Sequence, residues 1–235
     1  MLLVVAPVML MAVWSVAMGW PDNWRTADWS SAHLAPDPAT EKAAIIQVYA
    51  ARAGRWKGIF SVHSLIAIKP ENAPGFTRFE VVGWGNPVRV NSHLVDGRWY
   101  GNTPEIILEI RGEAAQSLIG KIEKAVQSYP YSQRDGYLAW PGPNSNTFVA
   151  WIGRQVPEMK LEMPATAVGK DYLGEWIRLS TTPSGTGWQV SLWGLIGFAV
   201  ALREGIEFHF LGATIGVDFD DMGIKLPGIG TLGLG

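Results

Sequence analysis

No charged side chain precedes Asp22, and seventeen of the first twenty residues, Met1 to Trp20, are apolar. About twenty such residues are what a membrane-spanning helix requires. Three structures satisfy the run: an uncleaved anchor, a cleaved secretory signal, or a helix packed into a core. Trp14, Trp20, Trp24 and Trp29 supply the interfacial aromatics of an anchor. Ser15-Val16-Ala17 is a passable cleavage site for a signal, although its basic n-region is missing. The anchor is the expectation carried forward, with the membrane as a partner through residues 1–20. Either of the first two readings places the remainder in the cell envelope, outside the cytoplasm.

Composition then narrows the function. Nineteen basic against twenty-one acidic residues give a net charge of −2, without the basic stripe that displaces counterions from phosphates, so no nucleic-acid partner is expected. The absence of cysteine removes disulfides, thiolate catalysis and cysteine-ligated metals. At 235 residues and 48% apolar the chain is long enough for a real core. Of its twelve tryptophans, Trp84, Trp99, Trp140 and Trp151 are expected in packed positions and the first four at an interface.

Beyond the leader, Asp22 to Lys42 is rich in Pro, Asp, Ser and Ala, as a connector is. Ala43–Ala51, Gly58–Lys69, Phe76–Trp84, Pro87–Val90 and Glu105–Ile110 have the length and β-branched content of strands. In Phe76–Trp84 the alternation puts Arg78, Glu80, Val82 and Trp84 on one face, and this segment should pair antiparallel with Gly58–Lys69. Glu113–Ser128 repeats Leu118, Ile119, Ile122, Ala125 and Val126 at helical spacing and stops at Pro130. Asn146–Val156 is a second helix. From Gly187 the texture turns to glycine-studded apolar pieces. Trp188–Leu202 is expected as a buried β segment, followed by Ile206–Phe219 and Ile224–Leu234 in a meander or hairpin extension.

One constellation carries chemistry. Asn144 and Ser145, ahead of the second helix, put a side-chain oxygen where free N–H groups and the positive dipole end lie. That position serves a nucleophile and an oxyanion, and His63 on an earlier strand would be its base. On the plain reading Asn144 or Ser145 is only a helix cap and His63 a core histidine. His63, His93 and Glu80 show no close spacing for zinc. Asp218, Asp220 and Asp221 lack the EF-hand pattern. Pro183–Gly187 lacks the ending of a phosphate loop, so neither a metal nor a cofactor is expected.

Trp140-Pro-Gly-Pro-Asn-Ser-Asn-Thr-Phe-Val149, Val48–Arg52, Gly97–Asn102 and Leu226-Pro227-Gly228 resemble a bacterial family catalogued as domain of unknown function 3750. More distantly, His63-Ser64-Leu65-Ile66-Ala67-Ile68, Tyr137 and Asn144–Phe148 are similar to the circularly permuted NlpC-like branch of papain-like proteins, which includes amidases, peptidases and acyltransferases. There a histidine strand precedes an Asn-Cys-x-Thr-Phe-like motif, and here Ser145 stands in place of the cysteine. The resemblance implies Ser145 as nucleophile, His63 as base, Glu80 as orienter of the imidazole, Tyr137 as an oxyanion donor, and Asn144 and Asn146 as ligand contacts. It also implies an amide or ester substrate from cell-wall peptide or lipid. A non-catalytic binding or scaffolding protein using the same cleft is the alternative.

The expected fold is α+β. A small antiparallel sheet on helices, the permuted NlpC-like core, occupies residues 43–175. A β-rich extension fills 176–235, the membrane segment 1–20, and a linker 21–42.

Overall fold

In the computed structural model residues 2–19, 23–220 and 222–233 are described. The chain runs α1 (Leu2–Met18), β1 (Ile45–Arg52), β2 (Val62–Lys69), β3 (Thr77–Val81), β4 (Val88–Val90), β5 (Glu105–Arg111), α2 (Gly112–Gln127) and α3 (Ser145–Gln155). Seven strands follow: β6 (Ile177–Thr181), β7 (Gly187–Leu192), β8 (Ile196–Ala201), β9 (Gly205–Phe210), β10 (Ala213–Asp218), β11 (Gly223–Leu226) and β12 (Gly230–Leu232). They form two antiparallel sheets, ordered β4-β3-β2-β1-β5 and β12-β11-β10-β9-β8-β7-β6. The molecule is therefore mostly β, which corrects the α+β expectation. Each glycine-studded C-terminal piece closes hairpins on itself, so the extension outnumbers the core in strands.

The first sheet follows from alternation. Ile46, Val48 and Ala50 on β1, Ile66 and Ile68 on β2, and Phe79 and Val81 on β3 share one face with Leu118, Ile119 and Ile122 of α2 and Phe148 and Ile152 of α3. Gly112, at φ 69°, lets β5 pass directly into α2, a backbone turn that costs a side-chain-bearing residue more. The opposite face carries Tyr49, Leu65 and Ala67 under Leu34, Phe76, Val95 and Ile106. The segment expected as a connector runs across that face. Asp96 holds it by accepting from Ser31 Oγ at 2.8 Å and from the backbone N–H groups of Leu34 and Ala35 at 2.6 and 3.1 Å.

The N-terminal expectation is overturned. Among the described residues no helix is long and apolar enough to cross a membrane. With seventeen residues α1 extends about 26 Å, short of the about 30 Å of a hydrocarbon core. Neither a membrane segment nor a membrane partner through residues 1–20 stands. Instead α1 packs on the short helical turn Arg55–Ile59 and on β11. Its Pro7 and Ser15 are buried at helical spacing, while Trp14 is exposed. The role expected of Trp20 lies outside the described residues.

The second sheet corrects another expectation. Trp188–Leu202 is two strands, and its large even-numbered side chains point outward into solvent, with Gln189, Ser191, Ala199 and Ala201 buried beneath. Of the tryptophans expected in packed positions, Trp99 is buried and Trp151 half-buried, whereas Trp84 and Trp140 are exposed.

Phe148 is fully buried and sets its ring edge-on to Tyr129 at 5.0 Å. Phe148→Ala should destabilise the fold by about 3–5 kcal/mol. A urea midpoint that moves by less than the equivalent of about 1 kcal/mol would contradict the assignment of α3 to the main core.

Candidate functional site

The β1–β2 register sets Ala51 opposite His63, and the β2–β3 register sets Leu65 opposite Glu80. Residues two apart on a strand share a face, so His63, Glu80 and Arg78 meet on the sheet face away from the helices. His63 Nε2 lies 3.1 Å from Glu80 Oε2, which also accepts from Arg78 Nη2 at 2.7 Å, while His93 Nδ1 stands 2.7 Å from Oε1. Trp99 stacks on the His63 ring at 3.7 Å with the planes 6° apart. Trp29 then packs against both His93 and Trp99.

Glu80 is wholly buried. Burial pushes its carboxyl up, but hydrogen bonds from His63 and His93 and the Arg78 charge outweigh that and hold it far below the ordinary carboxylate range. An ionised carboxylate only accepts, so His63 Nε2 and His93 Nδ1 carry the protons of these bonds. Burial also holds the His63 imidazole below its ordinary value, against the pull of the Glu80 hydrogen bond. The ring is therefore neutral at pH 7, with its lone pair on Nδ1. Among the described residues nothing hydrogen-bonds to that Nδ1.

Ser145 opens α3, and the residues on either side of it fix its place. Asn144 Oδ1 accepts from the backbone N–H groups of Asn146 and Thr147, and Thr147 Oγ1 accepts in return from Asn144 N. This reciprocal cap satisfies orphan donors of the first turn. The Asn144 amide also donates to the carbonyls of Ala139 and Val168 at 3.1 and 3.0 Å. Asn146 Nδ2 donates to the Val62 and Val168 carbonyls at 3.0 and 2.9 Å, and its Oδ1 accepts from Ser64 Oγ at 2.9 Å. Both amides are thus engaged internally, and they tie the helix start to β2 beside His63. Ser64 Oγ donates as well to the Ser145 carbonyl, at 3.3 Å.

These pieces surround a cavity of about 700 Å³ lined by His63, Trp84, Trp99, Tyr137, Trp140 and Ser145 among others. Both expected catalytic partners face it, from the two sides of the β2 strand. Among the described residues no hydrogen bond joins Ser145 Oγ to His63. Tyr137 lies against Gly83, where a Cβ would stand 2.6 Å from its ring, and burial raises its phenol above the ordinary range. Among the described residues no cluster of three His, Cys, Asp or Glu is placed to hold a metal ion.

The structure adds Arg78 and Trp99 to the set named from the sequence, and gives His93 a firm place on Glu80. Arg78 was within reach of the alternation, being two residues before Glu80 on the same strand face. Trp99 was not, because it reaches His63 from a loop distant in sequence.

Removing the Glu80 charge leaves Arg78 buried without its partner. Glu80→Gln should therefore destabilise the protein by about 3 kcal/mol at pH 7. The sign of the pH dependence follows from the depressed carboxyl. Its contribution is complete above the unfolded-state value of 4.5 and is lost as pH falls below it. Urea unfolding at pH 7 and pH 3.5 should show the wild type losing more stability on acidification than the variant. Equal losses would refute an ionised Glu80.

No curated protein and no solved structure matches the chain. The model of the family described as "Protein of unknown function (DUF3750)" matches residues 43–172, which holds His63, His93, Glu80 and the start of α3. That match spans more than half of the 235 residues, and the chain belongs to the DUF3750 family.

Proposed function

We propose that the protein is a Ser/His hydrolase or acyltransferase acting on an amide or ester, with cell-envelope peptide or lipid as the substrate class. The observation that carries the reading is the state of His63: Nε2 is committed to Glu80 and Nδ1 is left free, on the cavity that Ser145 also lines. The motif order, a histidine strand followed by Asn-Ser-Asn-Thr-Phe at a helix start, is also that of the permuted NlpC-like branch, and it supports the same assignment of roles.

In the proposed reaction Ser145 Oγ attacks the substrate carbonyl carbon while its proton passes to His63 Nδ1. A serine gains little from the helix dipole because its alkoxide is far from accessible, so the base must take the proton during attack. Glu80 stabilises the imidazolium that forms. The oxyanion would be met by the Ser145 backbone N–H, which the Asn144 cap leaves unclaimed, and by the Tyr137 hydroxyl. His63 then returns the proton to the leaving amine or alcohol. Water or an acceptor nucleophile releases the acyl group by the same steps in reverse. The Ser145–His63 hydrogen bond absent from the free protein would form as substrate enters, as catalytic hydrogen bonds often tighten only in the complex.

The missing hydrogen bond also favours a second reading, in which the cavity holds a ligand without chemistry. A fluorophosphonate distinguishes the two. Intact-mass analysis should show one adduct on the wild type, lost in Ser145→Ala and in His63→Ala. The labelling rate should rise with pH along a limb centred below 6.5, since neutral His63 is the active form and its value is depressed. In Glu80→Gln that limb should move to still lower pH, because the carboxylate is what supports the imidazolium. A folded wild type that takes up no adduct would favour the binding reading.

A further inference from the structure

The second sheet is built with its polarity reversed. Across it, each outward position faces another apolar one: Trp188 opposite Val200, Val200 opposite Ile206, Val190 opposite Phe198, and Phe198 opposite Phe208. The same rows continue through Leu179 at one edge and Val217 and Ile224 toward the other. These side chains are between 37% and 70% exposed, and the paired outward positions of β7 to β9 carry no charged group. The buried face is polar and its charged groups are paired, while among the described residues Gln189 Nε2 finds no hydrogen-bond partner. Lys225 Nζ reaches Glu162 at 2.7 Å and Glu207 at 2.9 Å, Lys170 Nζ reaches Glu207 at 2.8 Å, and His209 Nδ1 bonds Thr214 Oγ1 at 3.0 Å. Turning the sheet over would take Glu207 and Lys225 away from Lys170 and Glu162 and leave those two charges against apolar side chains, so the apolar face is held outward by the charges behind it.

An uninterrupted apolar patch of this kind exceeds what single soluble chains ordinarily expose. We infer that the face is covered by the same face of a second copy of this chain, the two sheets packing against each other as in a sandwich. Three observations choose that occupant. Seven strands of three to six residues, about 17 Å long on average and at about 4.8 Å spacing, give a footprint of about 600 Å², on the scale of the roughly 800 Å² of accessible surface per partner in a stable dimer. A two-fold contact is self-complementary, and a face without charges has nothing with which to select an unlike partner. Hydrocarbon is a poorer occupant. The sheet is open at β6 and β12, and strands of at most six residues fall short of the nine to eleven that span a bilayer, so the edge N–H and C=O groups would lie unpaired in lipid.

The test is sedimentation velocity on the full chain at micromolar concentrations. The wild type should sediment at twice the chain mass. Phe198→Lys with Phe208→Lys, at the centre of the face, should raise the dimer dissociation constant roughly 100-fold or more while the circular dichroism spectrum is kept. Should that variant fail to fold, the cysteine-free chain provides a milder probe: Phe208→Cys should form a thiol cross-linked dimer, and Ser117→Cys on exposed α2 should not. A monomeric wild type, or a dimer indifferent to the lysines, overturns the inference. So does a monomer that floats with phosphatidylglycerol vesicles and loses that property in the lysine variant, which would make lipid the occupant.

Discussion

A carboxylate removed entirely from water keeps its charge only where donors replace the lost hydration, and around Glu80 three of them do so: Arg78, His63 and His93. Much of the site depends on that arrangement. It fixes which His63 nitrogen holds the proton, and so leaves the lone pair on Nδ1. It also draws in the loop that carries His93, and Trp99 closes over the histidine ring from the segment beyond. The strand that follows from the sequence thereby becomes a rigid wall with one defined basic atom.

The start of α3 is organised by a different device with the same effect. The side-chain amides of Asn144 and Asn146 bond to the capped turn, to β2, to Ser61 Oγ and to the carbonyls of Ala139 and Val168. Two residues expected as ligand contacts line the cavity and also fix the helix start that carries Ser145. Rigid supports of this kind hold a reacting group to within the fraction of an ångström that catalysis needs.

The two sheets divide the physical burden differently. The first has apolar residues against helices and its charged site on the other face, under the chain segment held by Asp96. The second keeps Lys170, Glu207 and Lys225 inside and its apolar side chains outside. A lysine shared between carboxylates in a buried setting is stable only while every partner is present, and burial of Lys225 among Glu162, Glu207 and Asp218 is offset by those charges. The inverted sheet is therefore specified by its buried ion pairs rather than by apolar collapse.

The sequence by itself determined the local elements and the faces within them. Alternation in Phe76–Val82 put Arg78, Glu80 and Val82 together, helical spacing marked α2, and Asn144 announced the start of α3. Those patterns rest on periods of 2 and 3.6 residues, which depend only on backbone geometry. What they leave open is which face meets water. Alternation in Trp188–Leu202 was correctly visible, yet its apolar side lies outward because Lys170 and Glu162, distant in sequence, supply the charges that claim the inner side. For the same reason the fate of α1 was decided by tertiary packing on Arg55–Ile59 and β11, since apolar composition alone suits lipid and protein equally. The meeting of His63 and Ser145 on one cavity, with Trp99 over the imidazole, likewise arises from contacts between elements, which no local period encodes.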